Sequence, residues 1–215
     1  TNFKIHTQYS ICEGAIKIDD LAAHCKLNKI KAIGICDSLN LCGALEFAEK
    51  ISKSGTHPLI GTQINFTFDK IISKLPLFAT SQKGYKNLTK LSSKSYLDID
   101  DLSDPHCQFK DLYKLNEDLI ILSGGLNDFF GELFKANKIK IINEIFTEIS
   151  KIFGNRFYIE IQRHNEIDES SFEEFLLKAS SKFNLPIIAT QEVYYLQPEM
   201  YEAHDALLCI GQKTF

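Results

Sequence analysis

Arginine is scarce in this sequence of 215 residues. Arg156 and Arg163 are the only arginines, and the formal net charge is −4 at pH 7. Proteins that bind nucleic acid by themselves rely on arginine for bidentate contacts to phosphates and bases, and they carry a basic surface. The lysines are spread among acidic residues, which is typical of a solvated surface. The composition therefore argues against general binding of nucleic acid by this chain.

The six cysteines show no CxxC spacing, and the sequence has no signal-peptide pattern and no apolar run long enough to span a bilayer. We therefore expect reduced thiols that mostly fill the core, a cytoplasmic location and no association with membranes. No Gly-x-Gly-x-x-Gly segment or P-loop follows any predicted strand, which leaves a nucleotide-binding open sheet with little support.

Short apolar segments alternate with longer segments of helical periodicity along the chain. Hydrophobic residues make up 44% of the sequence, which is enough for a sizeable core. The apolar segments predict seven strands, which begin near Phe3, Ala32, Pro58, Leu75, Leu119, Phe157 and Pro186. Near-continuous apolar strands between helices are typical of a parallel sheet covered by helices. An open doubly wound sheet and a closed barrel both satisfy this pattern, and periodicity does not choose between them.

The stretch from Lys94 to Asn116 interrupts this alternation. It is the least regular part of the sequence, and it carries a proline and several aspartates, namely Asp98, Asp100, Asp101 and Asp104. Such a composition suits contact with water better than burial. We therefore expect a solvated helical or loop excursion here.

The stretch from Phe3 to Gly14 carries the most informative pattern. Residues 3–6 alternate between apolar and polar side chains, so they predict a strand with Lys4 and His6 on the same face. Residues 5–10, Ile-His-Thr-Gln-Tyr-Ser, resemble the opening His-x-His-Thr-x-Tyr-Ser motif of the polymerase and histidinol phosphatase (PHP) family. Lys4 holds the position of the first histidine, and its ammonium cannot bind a metal while protonated.

Further stretches resemble the PHP domains at the amino terminus of bacterial DNA polymerase III alpha subunits. They are Ala32 to Gly43, Pro58 to Phe66, the helix start Gly84 to Leu88 with Leu91 and Ser92, Leu122 to Gly125, Glu160 to His164, Ala189 to Leu196, and His204 to Ile210. One such match alone is a weak signal, but seven in the same order are a strong one. Together they extend over essentially the whole chain.

This resemblance implies an α/β fold of one type, the distorted seven-stranded (β/α)7 TIM-like barrel of the PHP family. Such barrels place functional residues at the carboxyl ends of their strands. We therefore expect the strands to be parallel and adjacent, with His6, Asp37, Gln63 and Glu192 at one mouth. Residues 1–215 are expected to form a single PHP domain, as a fragment of a much longer polymerase alpha subunit.

Metal-binding members of the family hold Zn, Mn or Fe with His, Asp, Glu and sometimes Cys ligands. The positions of this sequence that match that cluster are Lys4, His6, Glu13, Asp37, Ser38, Gln63, Gly125, Glu192 and Tyr194. The resemblance implies that His6 and Asp37 are retained, while glutamate replaces aspartate at two positions. Lys4, Ser38 and Tyr194 replace histidines. Gln63 replaces a glutamate and Gly125 a cysteine, so we expect no metal and no catalytic residue in this domain.

Each acidic or imidazole residue that remains also has a structural explanation. His6 alone fits a hydrogen-bonded histidine at a strand end, since one imidazole cannot hold a metal cluster. Asp37 is equally suited to cap the helix predicted from Asn40. Glu13 and Glu192 are candidates to pair with Lys4, whose ammonium would then replace the charge of a metal. No role is predicted for four of the other histidines, namely His24, His57, His106 and His204.

Two functional hypotheses follow from the resemblance, and a third comes from another class. The first is a structural and docking domain of a replicative DNA polymerase, inactive by itself. Its partners would be the remainder of the alpha subunit and a proofreading exonuclease subunit, with DNA bound only through the full-length polymerase, whose Mg-dependent aspartates would lie beyond Phe215. The second is an active metal-dependent phosphoesterase or proofreading exonuclease. The third, a small-molecule binding barrel, has no specific support.

Overall fold

The computed structural model describes residues 2–99 and 103–214, and its fold is mixed α/β. The strands are β1 (Lys4–Ile5), β2 (Ala32–Ser38), β3 (His57–Phe68), β4 (Ile71–Ala79), β5 (Cys107–Gln108), β6 (Leu119–Leu122), β7 (Phe157–Ile161), β8 (Ile187–Ala189) and β9 (Glu192–Val193). The helices are α1 (Ile18–Leu27), α2 (Ala44–Lys53), α3 (Gln82–Leu97), α4 (Phe109–Lys114), α5 (Phe129–Lys135), α6 (Ile139–Phe153), α7 (Glu169–Phe183) and α8 (Tyr201–Gln212). None of these helices combines the length and apolar character needed to cross a bilayer.

The predicted strands are confirmed as β1 to β4 and β6 to β8, and the α/β class is confirmed with them. The sequence pattern does not predict β5 and β9, which have two residues each. The chain divides into two compact units. Unit 1 comprises Thr1–Thr62 and Gln191–Phe215, and unit 2 comprises Gln63–Thr190, so β3 begins in one unit and ends in the other.

Unit 1 is built around a core of apolar side chains from β1, β2, α1 and α2. The core consists of Ile5, Ile16, Ile18, Leu21, Cys25, Ile33, Ile35, Phe47 and Ile51. β1 pairs in parallel with β9, which places Lys4 opposite Glu192 and Ile5 opposite Val193. Cys25 fills the core as expected, whereas Cys12 and Cys42 are exposed. The expectation for the thiols is therefore confirmed for only some of them.

Unit 2 is organised around a sheet in which β4, β6, β7 and β8 are successive neighbours. β6 pairs in parallel with β7, and β7 pairs in parallel with β8. Aromatic side chains fill the core beside this sheet. The ring of Phe146 lies 4.6 Å from that of Phe130 and 5.2 Å from that of Phe157 between centroids, and all three residues are fully buried.

The expectation that all seven strands are parallel is wrong for β4. This strand pairs antiparallel with β6, so that Leu77 lies opposite Ile121. β3 and β4 are neighbours in the sheet and are connected only by Asp69, which has a left-handed backbone conformation (φ 56°), and Lys70. Two residues can connect antiparallel strands in a hairpin, whereas parallel strands need a crossover of a dozen or more residues. The short connection therefore reverses the chain.

The stretch from Lys94 to Asn116 is more ordered than expected. It contains the end of α3, then β5, which pairs in parallel with the end of β3, and then α4. Cys107 and Leu112 in this stretch are buried. The prediction of a solvated helical or loop excursion is therefore wrong for Cys107 and Leu112, while Gln108 and Lys110 are exposed. Asp100 and Asp101 lie outside the described residues.

Phe146→Ala tests whether the aromatic cluster is the core of unit 2. We expect this substitution to lower the free energy of unfolding by about 3–5 kcal/mol, because it removes a buried ring and leaves a cavity. Leu97→Ala is the control, because Leu97 is 79% exposed and its truncation is expected to change stability by no more than about 0.5 kcal/mol. Urea denaturation followed by circular dichroism measures both, and equal losses would contradict the assignment.

Candidate functional site

A buried ion pair joins the first and last strands of unit 1. Lys4 on β1 and Glu192 on β9 are opposite each other in the parallel pair, and Nζ of Lys4 lies 2.8 Å from Oε1 of Glu192. The side chain of Lys4 is 0% exposed, and that of Glu192 is 20% exposed. The predicted pairing of Glu192 with Lys4 is therefore confirmed.

Tyr194 holds the second oxygen of this carboxylate. Its hydroxyl donates to Oε2 of Glu192 at 2.5 Å, and its ring stacks on that of His6 with 4.4 Å between centroids. Burial raises the pKa of Tyr194, and the neighbouring Glu192 raises it further, so the hydroxyl keeps its proton. Burial also favours protonation of Glu192, but His6 and Lys4 outweigh it and hold the pKa of Glu192 below its usual range. Glu192 is therefore ionised at neutral pH.

Asp37, near the end of β2, fixes the loop that follows β1. It is buried, and it accepts hydrogen bonds from the backbone N–H of Thr7 at 2.6 Å, the hydroxyl of Thr7 at 2.8 Å and the hydroxyl of Ser10 at 2.7 Å. Burial raises the pKa of Asp37, and these hydrogen bonds offset only part of the effect. The alternative that Asp37 caps a helix from Asn40 is wrong, because α2 begins at Ala44.

Ser10 connects Asp37 to His6. Its hydroxyl hydrogen is directed to Asp37, so its oxygen accepts from the backbone N–H of Ser38 at 3.1 Å and from Nδ1 of His6 at 3.3 Å. Because the hydroxyl of Ser10 donates to Asp37, Nδ1 of His6 is the donor in this hydrogen bond. Nε2 of His6 lies 3.8 Å from Oε1 of Glu192, is buried, and has no hydrogen-bond partner among the described residues. The expected hydrogen-bonded histidine is confirmed for one of its nitrogens.

Glu13 is held from two sides by unit 1. Its carboxylate accepts a hydrogen bond from the hydroxyl of Ser38 at 2.5 Å, and its carbonyl oxygen accepts one from Nε2 of His204 at 2.7 Å. The ring of His204 is 9% exposed and lies 5.7 Å from the ring of Tyr194 between centroids. Sequence reasoning missed His204 because no second histidine lies at ligand spacing on α8. The one available signal was its place in a stretch that resembles the family.

The two remaining predicted positions, Gln63 and Gly125, belong to unit 2. Gln63 is fully buried in β3. A Cβ atom on Gly125 would lie 2.2 Å from Oε1 of Gln162, so the side chain of Gln162 occupies the space that a cysteine would need. Gln162 donates in turn to the buried carboxylate of Glu160 at 3.0 Å, which also accepts from the backbone N–H of Gly124 at 3.1 Å. Gln162 therefore makes local hydrogen bonds.

The contacts described above bring seven predicted positions together in unit 1, namely Lys4, His6, Glu13, Asp37, Ser38, Glu192 and Tyr194. Each carboxylate of this group faces N–H, O–H or ammonium donors. Across residues 2–99 and 103–214, no three His, Cys, Asp or Glu side chains are grouped in a way that could hold a metal ion. The arrangement stabilises buried negative charge by donors from the chain itself.

Residues 2–164 match the sequence model of one family, the PHP domain. The chain belongs to the PHP domain family. This match confirms the resemblance found in the motif around His6. It includes residues of both units, since unit 2 begins at Gln63.

Curated relatives of this PHP domain are polymerase subunits. The DNA polymerase III subunit alpha of Caulobacter vibrioides is 35% identical over 222 residues, which cover 100% of this chain. The DNA polymerase III subunit alpha of Rickettsia bellii is 34% identical over 211 residues, which cover 98% of this chain. The chain spans only 19% and 18% of the length of these two relatives.

Solved structures with a similar fold are distant in sequence. An amidohydrolase from Chromobacterium violaceum, solved with bound sulfate and no metal, superposes with a TM-score of 0.58 at 9% identity. The superposition covers 96% of each chain. At this identity the likeness concerns the fold alone, since one fold carries many unrelated activities.

Lys4→Met tests the ion pair, because methionine keeps an unbranched apolar chain but removes the charge. We expect a loss of about 3–5 kcal/mol in the free energy of unfolding at neutral pH, since the substitution leaves the carboxylate of Glu192 without its ammonium partner. The pKa of Glu192 is lowered from 4.5 in the folded state, so the pair stabilises above pH 4.5 and its contribution is lost as the pH falls below that value. The difference between the two proteins should therefore shrink in acid.

Lys4→Met with Glu192→Gln is the matched control for this experiment. The double substitution removes both charges, so it should be more stable than Lys4→Met alone at neutral pH. Urea denaturation at several pH values measures all four members of the cycle. If Lys4→Met is as stable as the wild type at neutral pH, the ion pair does not have the role assigned to it.

Proposed function

We propose that the chain is the PHP domain of a bacterial replicative DNA polymerase, DNA polymerase III subunit alpha, and that it acts in DNA replication as a structural and docking domain. The whole-chain similarity to the two alpha subunits supports the polymerase assignment. The family match that runs from unit 1 into unit 2 supports a single domain with the barrel of the PHP type. As part of such a polymerase, the domain belongs in the cytoplasm.

The buried Lys4–Glu192 pair is the observation that best supports a role without metal-dependent chemistry. A cation-binding site needs lone pairs directed at one point, and Lys4 places a donor at 2.8 Å from the carboxylate that a cation would use. Nε2 of His6 is buried and has no hydrogen-bond partner among the described residues, but one imidazole does not make a metal site. The residues of unit 1 therefore do not fit the Zn, Mn or Fe that metal-binding family members hold, and we assign no catalytic residue to this domain.

The partners in this proposal are protein partners. They are the remainder of the alpha subunit, whose polymerase domain uses Mg, and the proofreading exonuclease subunit. The net charge of −4 and the presence of only two arginines support contact with protein rather than with DNA. DNA is then bound through the full-length polymerase.

The purified domain is expected to contain no stoichiometric divalent metal and to release no phosphate from a nitrophenyl ester. The physical reason is the Lys4 ammonium, because its repulsion of a dication at a few ångströms is on the order of several kcal/mol. Elemental analysis and a phosphate-release assay with added Zn, Mn or Fe measure the two properties. Thermal unfolding with and without EDTA is the control and should give the same midpoint. Zn, Mn or Fe near one equivalent per chain, together with metal-dependent phosphate release, would establish the alternative of a metal-dependent phosphoesterase.

Deletion of residues 1–215 from the parent polymerase tests the structural role. We expect the truncated polymerase to lose stability and association with its exonuclease subunit, because it loses the folded body that supports both. Thermal unfolding, primer extension and co-purification with the exonuclease measure the three effects. A truncated protein that remains soluble, fully active and bound to its exonuclease would show that this domain is not a scaffold.

A further inference from the structure

Helix α8 (Tyr201–Gln212) carries apolar side chains that unit 1 does not cover. His204 is its one buried residue among the described ones. Four other apolar residues follow helical spacing along one side, namely Ala203, Ala206, Leu207 and Ile210, and we call this set the α8 surface. Ala203 and Ala206 are exposed, Leu207 is half-buried, and Ile210 is 73% exposed. The uncovered residues of α8 therefore include this apolar set as well as the acidic Glu202 and Asp205.

The attachment of α8 to unit 1 is specific. His204 donates to the carbonyl oxygen of Glu13 at 2.7 Å, and its ring lies 5.1 Å from that of Tyr195 between centroids. At the other end of the helix, a Cβ on Gly211 would lie 2.6 Å from the Cβ of Cys12, so the helix and the loop around Cys12 are in close contact. The α8 surface is thus held in a fixed orientation.

The loop that contacts α8 adds a second exposed apolar side chain. Ile11 is 81% exposed and directly precedes Cys12, which contacts Gly211, the residue after Ile210. Apolar side chains that are fixed in position and grouped at the surface are a feature of interaction sites. The loop and the end of α8 therefore offer an apolar surface to a partner.

We propose that the α8 surface docks the remainder of the parent polymerase chain, an inference that rests on the proposed function. The chain accounts for 19% and 18% of the length of two alpha subunits, so most of such a parent lies outside this structure. The exposed acidic residues Glu202 and Asp205 on the same helix call for a basic rim on the partner. A second copy docked through the same surface would bring two sets of these carboxylates into one interface, and like charges there disfavour self-association.

Ile210→Glu in the full-length parent polymerase tests this surface. Leu27→Glu is the matched control, because Leu27 is an exposed aliphatic residue (82%) at the end of α1, and both substitutions add the same charge near a helix end. We expect Ile210→Glu to lower the midpoint of thermal unfolding and to increase proteolytic cleavage between this domain and the rest of the chain. Leu27→Glu should change neither property. Ile210→Leu keeps an apolar side chain, so it should have the midpoint and the cleavage rate of the wild type.

The reactivity of Cys12 provides a measurement in the folded parent. Its thiol should react slowly in the wild-type parent, because the docked partner covers it, and as fast as the exposed Cys42 in Ile210→Glu. Equal behaviour of Ile210→Glu and Leu27→Glu, or rapid reaction of Cys12 in the wild type, would overturn the inference. The inference would also be overturned if the parent formed a dimer that Ile210→Glu dissociated, because the α8 surface would then bind a second copy of the chain. The proposed function is tested separately, by measuring the polymerase activity of the wild-type parent before any variant is made. A wild-type parent without that activity would contradict the proposed function.

Discussion

The structure of unit 1 depends on the pairing of Lys4 with Glu192 inside the protein. Removing an ammonium from water is costly, and it is tolerated here because a carboxylate lies 2.8 Å away. The parallel register of β1 and β9 brings the two residues together. The same carboxylate accepts a hydrogen bond from Tyr194, whose ring covers His6. The ion pair thus joins β1 to β9, and Tyr194 connects it to the ring of His6.

Asp37 shows how a family motif can take a structural role. In this chain its carboxylate accepts three hydrogen bonds from Thr7 and Ser10, so it fixes the loop that carries the motif. In unit 2 the buried carboxylate of Glu160 is satisfied in the same way, by hydrogen bonds from the backbone N–H of Gly124 and the side chain of Gln162. In both units, groups of the chain itself satisfy a buried carboxylate. Stability then depends on the precise position of N–H and O–H donors.

Membership of the PHP domain family fixes the expected fold but not the activity, because function depends on particular side chains. Lys4 and Gly125 illustrate this distinction. The ammonium of Lys4 lies beside the carboxylate of Glu192. At Gly125, the side chain of Gln162 fills the space that a larger residue would need. The surface of α8 adds a feature of another kind, since its exposed Ile210 contributes nothing to the core of unit 1 and is available to a partner.

The sequence by itself determined the positions of seven strands, the α/β class and the family, because periodicity and short motifs are local properties of the chain. It also identified the residues around His6, since the motif names them directly. Only the tertiary structure decided the antiparallel direction of β4, because an apolar strand looks the same in either direction. The same holds for the contact of His204 with Glu13 and for the placement of Gln162 against Gly125. Contacts between residues distant in sequence depend on strand register and packing, which no local pattern records.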